Sequence, residues 1–401
     1  MKIFQKVVIL FLVGILAACT GAAATPELIV ETPAPPTATA LQPVTPTPTI
    51  EVTATPSPTP ALDYPVEGYG PSDFPADVNP LTGLEVDDAT ILERRPVIVK
   101  VQNLPRADRP QWGLSAADIV YEYYTELGTT RFAAVYYGEN VTQVAPIRSA
   151  RLFDMNLIRG YKAMFIFGSA YADTYYKLVN SEFSRRLMLE STNTTGVIFR
   201  FDPNSKNYEM ADLTKVNDYT TKMGIDNTRQ ELNGMLFKAQ TPEGGLDAEQ
   251  VFVRFSGAIY NRWDYDPAGQ NYQRFSDVDN ASSSSAETYK QLIDRGNDEP
   301  ITADNVVIIT VRHTDIDARA STEVLDVSLL GTGKAYVMRD GKLYEVTWSR
   351  PSETSILTFM NADGSPFALR PGQTWVEVLA LNSTMAKQDD GSYRFTFVSD
   401  W

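Results

Sequence analysis

From Arg95 onward the chain alternates short apolar runs with polar punctuation. Arg95–Asn103 (RPVIVKVQN) reads as a buried strand. Asp118–Glu126 and Thr130–Tyr137, dense in Val, Ile, Tyr, Phe and Thr, read as two half-buried strands, with Gly128 where a hairpin turn would join them. The segment PIRSAR (Pro146–Arg151) follows. Pro146 closes a short strand, Ser149 is placed to cap a helix from about Ala150, and Arg148 and Arg151 flank its first turn. YKAMFIFGS then reads as a strand and ADTYYKLVNSEF as a helix, with Tyr175, Leu178, Val179 and Phe183 near helical spacing. TTGVIFRF predicts another strand, and Asp212 caps a helix running towards Lys222. Interleaved strands and helices predict an α/β domain over residues 63–245.

From about Glu249 the pattern changes to short strands between Gly, Asp and Pro punctuation. Hairpin signals fall at Arg339-Asp340-Gly341-Lys342 and Asn361-Ala362-Asp363-Gly364. Residues 246–401 are therefore expected to form a mostly antiparallel β domain, a sandwich or small barrel, giving an α+β multidomain chain. Tyr171, Tyr175 and Tyr176 form a stripe that would suit sugar stacking, but core packing is the expected use. The same holds for Trp348 and Trp375. Asp277, Asp279 and Asn280 resemble the start of a calcium loop, yet the central Gly and terminal Glu of that register are missing.

The N-terminus is organised differently. Residues 1–19 carry Lys2 and Lys6, then the apolar run VVILFLVGIL, then Leu16-Ala17-Ala18-Cys19. The run is shorter than a membrane span, so it reads as a signal peptide. It is similar in every position to bacterial lipoprotein signals. That resemblance implies lipidation at Cys19, membrane attachment through that lipid, and an extracytoplasmic location. Residues 20–62 are Thr, Pro and Ala in excess and predict a solvated polyproline-type stalk.

A net charge of -15 argues against nucleic-acid partners. With 1 Cys and 1 His, metal sites of the thiolate or multi-histidine kind are excluded, and neither metal nor cofactor is expected. His313 follows the strand VVIITV with no partner motif and no GxSxG elbow in the chain, so a structural role is expected.

Arg109, Arg131, Arg148 and Arg151, with Ser149, form the candidate ligand site. Guanidinium groups at a helix start suit phosphate or carboxylate. The competing reading pairs these arginines with Asp118, Glu122, Glu126 or Asp154. The order NPLTGL, RPVIVKVQN, RADRPQWGLSAADIVYE, TRFAAVYY, PIRSARLFD is similar to the YerB-like lipoprotein family, whose two-part domain has no established activity. Relatives carry a histidine in an APHN-like segment where this chain has DPNSKNYEMADL, with Asn207 as the available substitute. The TRF strand and PIRSAR corner also resemble the LytR-CpsA-Psr phosphotransferases faintly, with Ser149 replacing their aspartate. The sequence thus favours a non-enzymatic binding protein for an anionic envelope ligand or envelope protein. An envelope phosphotransferase or hydrolase, and a structural interaction module, are the alternatives.

Overall fold

The structure, a computed structural model, describes residues 64–192, 195–202, 208–317, 323–399 and 401. The expected signal peptide, Cys19 and the stalk lie outside the described residues. The described chain belongs to one compact unit, Pro56–Trp401. It is mostly β, 37% strand against 14% helix. The three α-helices among the described residues are short: α1 (Leu152–Gly160), α2 (Ala172–Val179) and α3 (Val216–Met223).

The apolar runs near the start build the centre of an 11-stranded sheet. β1 (Val97–Gln102), β2 (Ile119–Tyr124), β3 (Thr130–Tyr136) and β4 (Met164–Ile166) lie in the order β2-β3-β1-β4. β3 is antiparallel to both β1 and β2, and β1 runs parallel to β4. The turn between β2 and β3 places Leu127 and Gly128 at positive φ, 49° and 74°, a backbone that glycine adopts without strain.

The second half of the chain completes this sheet. The strand Thr374–Ala380 lies parallel to β2 and, on its other side, parallel to Asn305–Val311. Beyond these lie the antiparallel hairpin Gly331–Arg339/Lys342–Arg350 and the short strand Thr358–Met360. The expected self-contained sandwich or barrel is therefore not found. Strands from both sides of residue 245 share one sheet, because β2 leaves an edge that Thr374–Ala380 pairs from Ile119 to Tyr123.

A second, 7-stranded sheet, built among others from Gln250–Arg254, Tyr260–Asp266, Asn271–Asp277 and Tyr393–Thr396, covers one face of the first. Between the sheets Trp375 meets Trp263 and Phe132 edge-on, with ring centroids 5.3 and 5.2 Å apart. α1 covers the other face, where Phe153 packs on Tyr121 and Tyr123. The central strands are thus buried on both sides, which explains their nearly continuous apolar sequences. Trp348 and Trp375 are core residues as expected. The tyrosines of α2 are not. Tyr171, Tyr175 and Tyr176 are 45, 40 and 69% exposed, because α2 turns only Thr174 and Leu178 inward.

Candidate functional site at the PIRSAR corner

β1 and β4 pair over three residues and then diverge, and PIRSAR fills the opening at their carboxyl ends. The Gln102 N–H donates to the Pro146 carbonyl at 3.0 Å and the Arg148 N–H to the Lys100 carbonyl at 2.8 Å. On the other side the Gly168 N–H donates to the Arg148 carbonyl at 3.1 Å and the Ala150 N–H to the Ser169 carbonyl at 2.8 Å. The corner is therefore held by backbone bonds on both flanks, leaving its side chains for other work. In open sheets with parallel strands, such divergence at the carboxyl ends is where ligands bind.

The helix after the corner starts two residues later than its sequence predicts. α1 begins at Leu152, and Asp154, not Ser149, caps it: the Asp154 carboxylate accepts the Arg151 N–H at 2.7 Å. Freed from capping, the Ser149 hydroxyl lies 2.8 Å from that of Ser169.

Three of the four arginines converge. Arg131, at the start of β3, donates to Glu126 at 2.9 Å and to the Ser149 carbonyl at 2.9 Å. Arg151 grips the same carboxylate with two groups, Nε at 2.7 Å and Nη2. Arg148 stands beside them, within the electrostatic reach of Arg131, Arg151, Glu126 and Asp108. Burial and then the neighbouring Arg151 push Arg131 down to about 10, and burial also lowers Arg148. Burial alone would raise Glu126, but the hydrogen bonds and charges of the two arginines hold it below its ordinary value. One carboxylate thus serves two guanidinium groups, while Arg148 nearby feels Asp108 first and then Arg151.

Arg109 does not join them. Its guanidinium turns to Asp277, with Nη1 3.1 Å from Oδ2 and Nη2 3.1 Å from Oδ1, and to Asn103. Arg106 takes the same carboxylate and also donates to Asn280 at 3.1 Å. The polar loop that resembles a calcium site is thus occupied by arginines tying it to the loop after β1. Of the anticipated carboxylate partners, Glu126 is used by two arginine side chains, and Asp154 by the Arg151 backbone. Asp118 instead accepts Asn79 and the N–H groups of Tyr137 and Gly138.

Beneath the corner lies a polar cluster hidden in the apolar runs. Lys100 in VIVKV is fully buried, with its ammonium group on the Tyr123 hydroxyl and 3.2 Å from Asp154. Tyr123 also donates to Asp154 at 2.5 Å. Burial lowers Lys100 to about 7; Asp154 opposes that shift, and Arg131 and Arg151 reinforce it. On the opposite face of the sheet Arg274 bridges Glu122 and Glu377, at 2.5 and 3.2 Å. Lys100, Glu122 and Glu377 carried a readable signal: a charge in the middle of a strand that is buried throughout.

His313 is buried, its Nδ1 3.0 Å from the Val311 carbonyl and its ring stacked on Trp401. The segment holding Asn207 lies outside the described residues. No group of three or more His, Cys, Asp or Glu side chains among the described residues is arranged to hold a metal, and no described helix is long and apolar enough to cross a membrane. A cavity of about 600 Å³ lies at the opposite end of the sheet and is lined by Glu85, Asp87, Asp118, Glu139 and Asp304 among others.

Fold and corner together define a two-part, mostly β protein whose parts share one sheet and whose arginine corner sits where parallel strands part. Residues 81–226 match the family described as "Protein of unknown function (DUF3048) N-terminal domain", and residues 251–376 match its C-terminal domain. The chain is 28% identical over 303 residues to "Putative lipoprotein YerB" of Bacillus subtilis (strain 168), covering 75% of this chain and 85% of that protein. The crystal structure of YerB protein from Bacillus subtilis matches with a TM-score of 0.62 at 27% identity, over 75% of this chain and 96% of the other. The chain belongs to the YerB-like family.

Proposed function

We propose that this protein is a lipid-anchored, extracytoplasmic binding protein that holds an anionic group of an envelope ligand or partner at the PIRSAR corner. Arg131, Arg148 and Arg151 supply the charge and Ser149 a hydroxyl. The observation that carries this reading is the charge imbalance at the corner. Arg131 and Arg151 share the carboxylate of Glu126, and Arg148 stands in the fields of Asp108 and Arg151, so three guanidinium groups face two carboxylates where β1 and β4 separate. An incoming phosphate, sulfate or carboxylate relieves their mutual repulsion and gains charge-assisted hydrogen bonds. Arg109 drops out of the binding set because Asp277 holds it. Membrane attachment through Cys19 rests on the lipobox and on the lipoprotein name of the Bacillus relative.

The test is thermal unfolding of the full chain in detergent, with sulfate or phosphate titrated against chloride at constant ionic strength. A ligand at ten times its Kd adds about 1.4 kcal/mol of stability by linkage, which a melting curve resolves. Arg148→Ala and Arg151→Ala are expected to abolish the shift. A shift of equal size in both variants would sink the reading.

A further inference from the structure

A cavity of about 240 Å³ opens where the loop after β1 meets one edge of the 7-stranded sheet. Two strands form its floor. Asn271–Asp277 and Tyr289–Gln291 pair antiparallel with Ser276 opposite Lys290, and the Leu292 N–H donates to the Arg274 carbonyl at 2.9 Å. Directly opposed residues point to one face with their Cβ atoms about 5 Å apart, and alternate residues share that face. Ser276, Lys290 and Leu292 therefore stand side by side, and all three line the cavity. Arg106, Arg109 and Pro110 close it from the loop.

Most of the polar groups here are spent. Arg109 divides its nitrogens between Asn103 and Asp277, and Arg106 gives its own to Asp277, Asn280 and the Ala258 carbonyl. Two groups are not. The Ser276 hydroxyl is buried with no hydrogen-bond partner among the described residues, and the residue is only 4% exposed. Lys290 is exposed and forms neither an ion pair nor a hydrogen bond among those residues. A buried hydroxyl left without an acceptor carries a free-energy cost that a bound acceptor removes.

Both unspent groups can donate, and one carries a positive charge, so the group they fit is an acceptor with a single negative charge. A carboxylate meets this with one oxygen for each. A phosphate or sulfate carries further oxygens for which no donor group is left. Beyond these groups the cavity is apolar: Pro110, Val278, Leu292 and Ile293 supply its walls, and Val278 is 42% exposed. A hydrocarbon body gains by covering that surface, whereas a hydroxyl-rich one would lose hydration without finding partners. We propose that this cavity binds a small carboxylic acid with an aliphatic body, its carboxylate on Lys290 and the Ser276 hydroxyl and its chain against Pro110, Leu292 and Ile293. The site is separate from the PIRSAR corner, none of whose residues lines it.

Titration calorimetry of the full chain in detergent, referenced to detergent alone, tests this with acetate, butanoate, hexanoate and 1-hexanol. Affinity is expected to rise along the acids by up to about fourfold per added CH₂, with hexanol roughly tenfold weaker than hexanoate. Lys290→Gln should weaken hexanoate about tenfold and leave hexanol unchanged, and Ser276→Ala should weaken hexanoate severalfold. No binding of hexanoate, equal binding of hexanol, or hexanoate binding indifferent to both substitutions overturns the inference. So does loss of hexanoate binding in Arg148→Ala with Lys290→Gln unaffected, which would place the acid at the PIRSAR corner. A leucine-ending peptide that binds more tightly than hexanoate overturns the small-molecule reading in favour of a peptide partner.

Discussion

Replacing Glu377 by Gln isolates one buried proton. Glu377 lies between the two sheets, fully buried, with Oε1 accepting from Arg274 at 3.2 Å and from the Trp263 indole N–H at 3.1 Å. Its Oε2 has no hydrogen-bond partner among the described residues. Arg274 is already neutralised by Glu122, which also accepts from Asn103 and Thr130, so a second negative charge has nothing left to pair with. Burial first, and then Glu122, push Glu377 from 4.5 up to about 8. At ~1.4 kcal/mol per tenfold change in proton affinity, that corresponds to roughly 4–5 kcal/mol. The folded state holds the proton more tightly than the unfolded chain. This contribution is therefore fully present below pH 4.5 and is lost as pH rises through about 8. Glu377→Gln keeps the shape of the protonated acid at every pH. Urea unfolding from pH 5 to pH 9 should show the two proteins within about 1 kcal/mol of each other at the acid end. The variant should be the more stable by a few kcal/mol at the alkaline end. Identical pH slopes, or a variant several kcal/mol weaker at pH 5, would refute the assignment of a neutral Glu377.

Lys100 works in the opposite direction. Burial lowers it from 10.5 to about 7, so its contribution is full above 10.5 and is lost as pH falls to about 7. Lys100→Met in the Glu377→Gln background should remove the rise in stability above pH 7, with the same urea series extended to pH 10.5. It should also weaken the fold by roughly 3 kcal/mol in mild alkali, because Tyr123 and Asp154 lose a buried partner. Glu126→Gln releases Arg131 and Arg151 from their carboxylate; sulfate affinity measured by calorimetry should rise about tenfold while stability falls by ~1–2 kcal/mol. Trp375→Ala opens the core between the sheets, where Trp263, Phe132 and Arg274 all rest on that ring. Denaturant unfolding should show a loss of ~3–5 kcal/mol.

Local physics made much of the fold legible. β1, β2 and β3 lie within two residues of the apolar runs that predict them, because a continuous stretch of Val, Ile and Tyr has few other ways to hide its surface. The turn at Gly128 and the hairpin at Asp340-Gly341 follow from the positive φ those positions need. PIRSAR stood out as a special corner for its density of arginine beside a proline and a serine. Its convergence with Arg131 was readable as soon as β3 was placed.

Tertiary structure alone decided the rest. Nothing near Glu377 in the chain announces that it will share Arg274 with Glu122, a contact that spans 103 residues on one side and 152 on the other. The fate of Arg109 depended on Asp277, 168 residues away, and on which of several nearby carboxylates the second sheet would bring over the first. The same long-range pairing joined the two halves of the chain, since an open edge on β2 does not say which later strand will close it. Helical spacing marked the tyrosines of α2 as neighbours, but only packing decided that they face outward. Sequence spacing fixes which side chains lie on one face; it takes the assembled sheets and helices to fix what that face meets.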